Sequence, residues 1–228
     1  MLFRSGQGFN PTAFATQAGG TITDTYHIDA DYGNVAFTHR QRFLSTFLYE
    51  LPFGKKGMFF NKSKIADQVI GGWQLSGVML FQTGPFMTVI APGADPAGNN
   101  FPNVTGNGRA DWISGQSLVP ANQSITNWIN KAAFAIPANN IGRIGNSPVG
   151  AVVGPGTSAV SLSLFKTFSI TEGIRLQLGG AASNALNHPN YTTPTLNYNT
   201  AAFGTITNVQ TQESGGPRSI QVTARISF

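Results

Sequence analysis

The chain has 228 residues, of which 10% are charged and 41% hydrophobic, with 27 glycines and a net charge of +5. Soluble domains carry roughly 25% charged residues. The composition therefore disfavours a cytosolic surface and suits strands that face lipid on one side and a wet lumen on the other. The absence of cysteine excludes disulfide scaffolds and Cys-ligated metal sites. The basic residues are scattered, and their densest group is interpreted as a solvated turn and not as a nucleic-acid surface: Lys55, Lys56, Lys62 and Lys64.

The beginning of the chain carries no recognisable export signal. No stretch reaches the roughly 18 apolar residues of a membrane helix. The first residues, MLFRSGQGFNPTAF, lack the apolar region of a signal peptide. Because the composition is that of an exported protein, the sequence predicts a chain truncated at its N-terminus. Residues 1–36 are interpreted as part of an extracellular loop or of a preceding strand.

The first two predicted strands are long and rich in aromatic residues. Residues 37–53 carry Phe, Tyr and Leu side chains at odd positions, and residues 68–90 place Trp73, Met79 and Phe81 on one face. Both segments exceed the roughly 9–11 residues that a tilted strand needs to cross a bilayer. A turn rich in glycine and lysine, at 54–67, is expected to join them.

Two more strands are predicted after a long loop at 91–158 that is rich in glycine, proline and asparagine. Residues 159–170 alternate between apolar and small polar side chains, but Phe165 and Lys166 lie on the wrong faces for this pattern. Residues 174–187 begin with the same alternation. Only residues 171–173 separate the two strands, which predicts a tight hairpin.

The last predicted strand, 218–228, follows a second long loop at 188–217. Residues 219–228 alternate without a break and end on an aromatic residue. The last strand of a barrel must find the first one to remove both open edges. We therefore interpret four residues as a signal for the barrel-assembly machinery: Val222, Ala224, Ile226 and Phe228. The side chains expected to face a lumen are Arg175, Gln177, Gln221, Thr223 and Arg225.

These strands predict an all-β fold, namely an antiparallel transmembrane β-barrel fragment of about five to six C-terminal strands of a larger barrel, with long extracellular loops. If the last strand runs toward a periplasmic C-terminus, both short links are periplasmic and both long loops extracellular. That asymmetry is typical of bacterial outer-membrane barrels. The predicted belt of aromatic residues at the membrane interfaces is Phe43, Tyr49, Trp73 and Phe168.

A series of short phrases connects residues 30–228 with a known family. The phrases, in order, are DYGN, HRQRF, YELPFGK, GGWQLSG, QTGPF, WINKAAF, SLFKTF, NALNHPNY, FGTIT, PRSIQ and the closing ISF. This set resembles the C-terminal β-barrel of TonB-dependent receptors of the Oar-like type, whose members often carry a carboxypeptidase-regulatory-like domain. Residues 177–185, QLGGAASNA, depart from the bulkier and more charged strand expected for that family.

The resemblance implies a barrel of about 22 strands, a plug domain inside it and a preceding segment that engages TonB. The implied function is energy-coupled uptake of a nutrient across the outer membrane. The implied partners are outer-membrane lipid, the barrel-assembly machinery, the TonB system through N-terminal parts missing from this chain, and an unknown substrate. No cofactor and no nucleic acid are expected.

Other functions were weighed against this one. An outer-membrane adhesion or structural barrel without transport, and a secreted soluble β-sandwich that binds a glycan or protein, stay open as alternatives. We expect no enzymatic activity, because no HExxH, GxSxG or Walker A motif occurs and no acid, base and nucleophile can be assembled. Asp29, Asp31 and Asn34 offer oxygen ligands for calcium, but their spacing is not that of an EF-hand, and a plain turn is the preferred interpretation.

Overall fold

The computed structural model describes residues 7–9, 28–36, 38–53, 69–98, 108–171, 173–211, 213 and 215–228. The turn predicted at 54–67 and most of residues 1–36 lie outside the described residues. In the part of the chain that the structure describes, no helix is long and apolar enough to cross a membrane.

Strands are the main regular secondary structure of the described residues. In chain order they are β1 (Gln7–Phe9), β2 (Tyr32–Asn34), β3 (Arg42–Glu50), β4 (Trp73–Gln82), β5 (Phe86–Met87), β6 (Asp111–Trp112), β7 (Phe134–Ala135), β8 (Val152–Val153), β9 (Thr157–Ser169), β10 (Arg175–Ser183) and β11 (Ser219–Ser227). Two short 3-10 helices accompany them, Ile28–Asp31 and Lys131–Ala133.

The long strands form one antiparallel sheet with the order β11-β10-β9-β4-β3. Residue Leu176 of β10 pairs with Ile226 of β11 on one side and with Phe168 of β9 on the other. At the other end of the β10–β11 ladder, Ser183 pairs with Ser219. The predicted fold class, an all-β antiparallel sheet of about five strands, is what the structure shows, and β11 and β3 are the outer strands of this sheet.

The strand predicted at 37–53 is shorter at both ends, Arg42–Glu50, and two further strands end earlier than the sequence pattern suggests. β4 stops at Gln82, and Phe86–Met87 leaves the sheet to pair with Val152–Val153. The intervening Pro85 has no amide hydrogen to donate to a ladder. β10 stops at Ser183 because the next residue, Asn184, has a left-handed backbone with φ of 46°.

The chain divides into two compact units. The strand unit consists of Phe43–Phe81, Thr157–Asn190 and Val209–Phe228, and the loop unit consists of Met1–Arg42, Gln82–Gly156 and Tyr191–Asn208. Most of the long sheet therefore belongs to the strand unit, and most of the predicted loop at 91–158 belongs to the loop unit.

The loop unit has a hydrophobic core of its own, which the sequence pattern did not reveal. Its central side chains include Val89, Ile129, Phe134 and Phe203, and all four are buried. The Phe134 and Phe203 rings meet edge to face, with centroids 6.2 Å apart. A segment that reads as a proline- and glycine-rich loop is thus packed like a small domain.

Candidate functional site on the two faces of the sheet

The register assigns every second residue of the sheet to one apolar face. Leu176, Ile226 and Phe168 are paired side by side. A β-carbon on Gly77 of β4 would come within 3 Å of Phe47 of β3 and of Leu162 of β9, which places these strands' aromatic and leucine side chains on the same face. The apolar face comprises Phe43, Phe47, Tyr49, Trp73, Leu75, Met79, Phe81, Leu162, Leu164, Phe168, Leu176, Leu178, Ile220, Val222, Ala224 and Ile226.

This apolar face is open to its surroundings. In β11 the exposed fractions are 68% for Ile220, 83% for Val222 and 63% for Ile226, and the terminal Phe228 is fully exposed. A β-sandwich would bury such a face beneath a second sheet. Among the described residues no second sheet pairs with or extends this one, and lipid is the surrounding that stabilises such a surface.

The five side chains predicted to face a lumen share the opposite face. Gln177 is paired with Arg225, Ala181 with Gln221, and Gly179 with Thr223, so these positions alternate with the apolar ones. Arg175 begins the same row. The structure thus brings the predicted set together on one polar surface. It also shows that the set is confined to β10 and β11.

On β3 the polar surface also carries leucine side chains, which the sequence pattern did not predict there. Leu44 and Leu48 alternate with Phe43 and Phe47 along β3 and therefore lie on the face opposite them. Their exposed fractions are 57% and 65%. The face that carries Arg175 and its neighbours on β10 and β11 therefore has two exposed leucines among polar residues at the other outer strand.

Phe165 interrupts the polar face, and its neighbour on β10 explains why. Gly179 is paired with Phe165 in the register, and a β-carbon there would overlap the Phe165 ring and the Leu164 carbonyl. The glycine leaves room for the aromatic ring to lie across the next strand. Residues 177–185 have smaller side chains than the resemblance led us to expect, and the Phe165 ring of β9 occupies the space beside Gly179.

Lys166 lies on the apolar face with an exposed fraction of 5%. Its ammonium donates hydrogen bonds to the carbonyl oxygens of Val69 at 2.9 Å and Gly71 at 2.7 Å. It also lies 5.0 Å from the ring centroid of Trp73 and 4.9 Å from that of Phe168. Cation–π contacts of this kind are stronger where water is excluded, so the charge is compensated within the apolar surface.

The predicted aromatic belt divides between the two ends of the sheet. Leu51 donates its amide to the Trp73 carbonyl at one end of β4, and Phe43 stacks on Phe81 at the other end, with centroids 6.3 Å apart. At about 3.3 Å per residue, the stretch of β4 from Trp73 to Phe81 is about 26 Å long. At the tilt of roughly 35–45° found in outer-membrane barrels, this stretch would cover about 20 Å of the roughly 25 Å height of the apolar band.

Two of the calcium candidates in the loop unit, Asp31 and Asn34, have protein partners. Arg109 donates to the Ala30 carbonyl at 2.7 Å and lies 3.9 Å from the Asp31 carboxylate. Burial lowers the pKa of Arg109, and the charge of Asp31 opposes that effect. Asn34 donates its side-chain amide to the Gly150 carbonyl. These calcium candidates therefore have structural partners, and no group of three or more metal-ligating side chains occurs among the described residues.

A second ion pair of the loop unit is partly exposed. Arg143 donates to both carboxylate oxygens of Asp111, at 2.7 and 2.8 Å, and the Asn146 amide donates to the same carboxylate at 3.0 Å. The hydrogen bonds from Arg143 are the main reason why the pKa of Asp111 is lowered, although burial acts in the opposite direction. The pair joins β6 to the segment that follows β7.

The loop unit also contains an open groove of about 530 Å³. Its walls include Pro92, Gly93, Ala94, Ile136, Asn139 and Asn199. Asn139 accepts a hydrogen bond from the Asp95 amide at 2.7 Å, and Asn199 donates to the Pro92 carbonyl at 2.5 Å, so both side chains are held in place.

Comparison with known proteins assigns a class to this sheet. Residues 5–221 match the family described as outer membrane beta barrel domain. The chain belongs to this family, and it is a protein of the bacterial outer membrane, as its sequence predicted. No curated protein and no solved structure matched the chain.

Proposed function

We propose that the chain is the C-terminal barrel portion of a TonB-dependent outer-membrane transporter that takes up a nutrient. The observation that carries the proposal is the ordered set of receptor-like phrases across residues 30–228, in a chain whose family is that of outer-membrane barrels. The phrase GGWQLSG opens β4, SLFKTF lies in β9, and the closing ISF ends β11.

The open sheet supports a larger barrel. Small membrane barrels have about eight strands, whereas this sheet has five, with β11 and β3 at its edges. Unpaired edges cannot be exposed to lipid, because their amide and carbonyl groups would have no partners there. The additional strands are proposed to come from sequence that is not part of this chain, together with the plug and the segment that engages TonB.

Each surface of the sheet is proposed to contact a different partner. The apolar face would contact outer-membrane lipid, and the row from Arg175 to Arg225 would line the lumen. The exposed end of β11, with Val222, Ala224, Ile226 and Phe228, would be read by the barrel-assembly machinery. We infer no catalytic role for this chain, whose part in transport would be to form the wall of the pathway.

The proposal is tested with the complete gene, including the DNA that precedes the codon for Met1. An in-phase reading frame that encodes a signal peptide and a plug is expected. The full-length protein should support uptake of labelled ferric siderophore, cobalamin or oligosaccharide in cells with TonB and lose it in otherwise identical cells without TonB. A frame that lacks a plug, or uptake that is equal in both strains, would overturn the proposal.

A non-transporting barrel for adhesion or structure remains the second candidate, because the family assignment applies equally to it. It predicts the same sheet and the same insertion into the outer membrane. It also predicts no plug and no effect of TonB. The presence or absence of a plug in the reading frame therefore separates the two functions without depending on the identity of the substrate.

A further inference from the structure

The alternation of β11 leaves its register on β10 undetermined. A shift of one residue would move Val222 and Ile226 to the polar face, but a shift of two residues would keep every side chain on its own face. The facing strand offers little resistance to such a shift, because β10 continues with small residues at 179–182. Something outside the ladder must therefore select the observed pairing of Ala181 with Gln221.

Asn184, immediately after β10, holds the segment that leads into β11. Its side chain is 1% exposed, and its amide donates to the carbonyl oxygens of Gly216 at 2.7 Å and of His188 at 2.8 Å. Its side-chain oxygen accepts a hydrogen bond from the His188 amide at 3.0 Å. The Asn184 side chain is thus held by His188 of its own loop and also binds the segment that precedes β11.

Asn190 makes a second link between the same segments. It is also 1% exposed, and its amide donates to the Gly215 carbonyl at 3.0 Å. Its side-chain oxygen accepts a hydrogen bond from the Ser158 amide, near the start of β9, at 2.7 Å. Asn187 adds a third link, since its side-chain oxygen accepts from the Arg218 amide at 3.3 Å.

We propose that Asn184, Asn187 and Asn190, which we call the asparagine clasp, set the register of β11 on β10. The clasp binds three points in 215–218, directly before β11 begins at Ser219. A shift of two residues would move these points by about 7 Å. The buried amides of Asn184 and Asn190 would then lose their partners on the β11 side.

The register matters because β11 is an outer strand of the sheet. In a closed barrel the stagger of all strands is fixed by the pairing of each neighbour. An error of two residues in β11 would be passed to the strand that closes the barrel on its other edge. The clasp would serve any outer-membrane barrel, so the inference does not depend on TonB-coupled transport.

The test uses disulfide cross-linking of the full-length protein in outer membranes, since the chain itself has no cysteine. Ala181→Cys with Gln221→Cys reports the native register. Ala181→Cys with Thr223→Cys, or with Ser219→Cys, reports a shift of two residues in either direction. With the clasp intact, the native pair should cross-link and the shifted pairs should remain largely reduced.

Asn184→Ala combined with Asn190→Ala should raise the ratio of shifted to native cross-links by about tenfold or more, given that each lost hydrogen bond biases the equilibrium several-fold. Asn208→Ala is the matched control, because this exposed asparagine bonds through its side chain only to the adjacent Thr207 and should leave the ratio unchanged. Asn187→Ala removes an exposed link only and should raise the ratio less.

An assembled double variant that cross-links only in the native register would overturn the proposal. If the double variant does not assemble, Asn184→Asp and Asn190→Asp replace it, because they keep the oxygen and remove the donor. Native-only cross-linking in these variants and in Asn187→Ala would overturn the proposal equally.

Discussion

Single residues show how the apolar face tolerates a charge. Lys166 broke the alternation of β9 in the sequence, and its side chain lies against Trp73 and Phe168 with two carbonyl partners. Phe168 is the next residue on the same face of β9, but Trp73 and the two carbonyls belong to a distant segment, so the alternation alone did not explain the position of Lys166. The same holds for Phe165, which lies on the polar face because Gly179 makes room for it.

Replacing Lys166 by Met should destabilise the assembled barrel by about 1–3 kcal/mol, because the Val69 and Gly71 carbonyls lose a charged donor. The measurement is the urea midpoint at which the full-length protein loses its heat-modifiable mobility on gels. Lys131→Met is the control, because exposed Lys131 makes a cation–π contact with Tyr198 at 5.4 Å. Equal midpoints for the two variants would contradict the proposed role of Lys166.

The Asp111–Arg143 pair predicts a pH dependence of the loop unit. Because the folded state lowers the pKa of Asp111 below its ordinary value of about 3.9, the stabilisation is complete above that value and is lost as the pH falls through the lowered folded pKa. At pH 7, Asp111→Asn should cost about 0.5–1 kcal/mol, a small amount because Arg143 is half exposed.

Protease resistance of 108–156 in the membrane-embedded protein measures this effect. The difference between wild type and Asp111→Asn should be present at pH 7 and become smaller at about pH 3, which is closer to the lowered pKa of the folded Asp111. A difference that is unchanged between the two pH values would show that the ion pair is not its cause.

At the scale of elements, β11 alternates apolar positions, which we propose to face lipid, with polar positions, which we propose to face the lumen. Val222→Arg puts a charge on the apolar face and should cost about 2–4 kcal/mol if it lies near the bilayer centre. Thr223→Arg, on the polar face beside Gln177 and Arg225, should be tolerated. The yield of heat-modifiable protein in outer membranes is the readout, and equal yields would contradict the assignment of the faces.

The end of β11 carries a second prediction at this scale. Phe228 is fully exposed and follows the last ladder residue, Ser227. Its deletion from the full-length protein should abolish assembly in the outer membrane if the barrel-assembly machinery reads this residue. Leu186→Ala, which removes another exposed apolar side chain, serves as the comparison. Undiminished heat-resistant barrel after the deletion would refute the proposed signal.

At the scale of the whole molecule, the sheet of the described residues has five strands, with β3 and β11 outermost, which is too few to close a barrel. Expressed by itself, residues 1–228 should require detergent and show no heat-modifiable form, whereas the full-length protein should show one. The physical reason is that the edge amides and carbonyls of β3 and β11 have no partners in lipid. A monodisperse protein in water without detergent would contradict this prediction.

The sequence by itself determined the fold class and the two faces, because alternation with a period of two is a property of local residue order. Val222 and Arg225 could be assigned to opposite faces without any coordinates. The tertiary structure decided what depends on distant partners. Folding brought Lys166 to Trp73, packed Phe134 on Phe203 inside an apparent loop, and placed Asn184 and Asn190 on the glycines before β11. None of these contacts leaves a periodic signal, since each joins residues from separate segments.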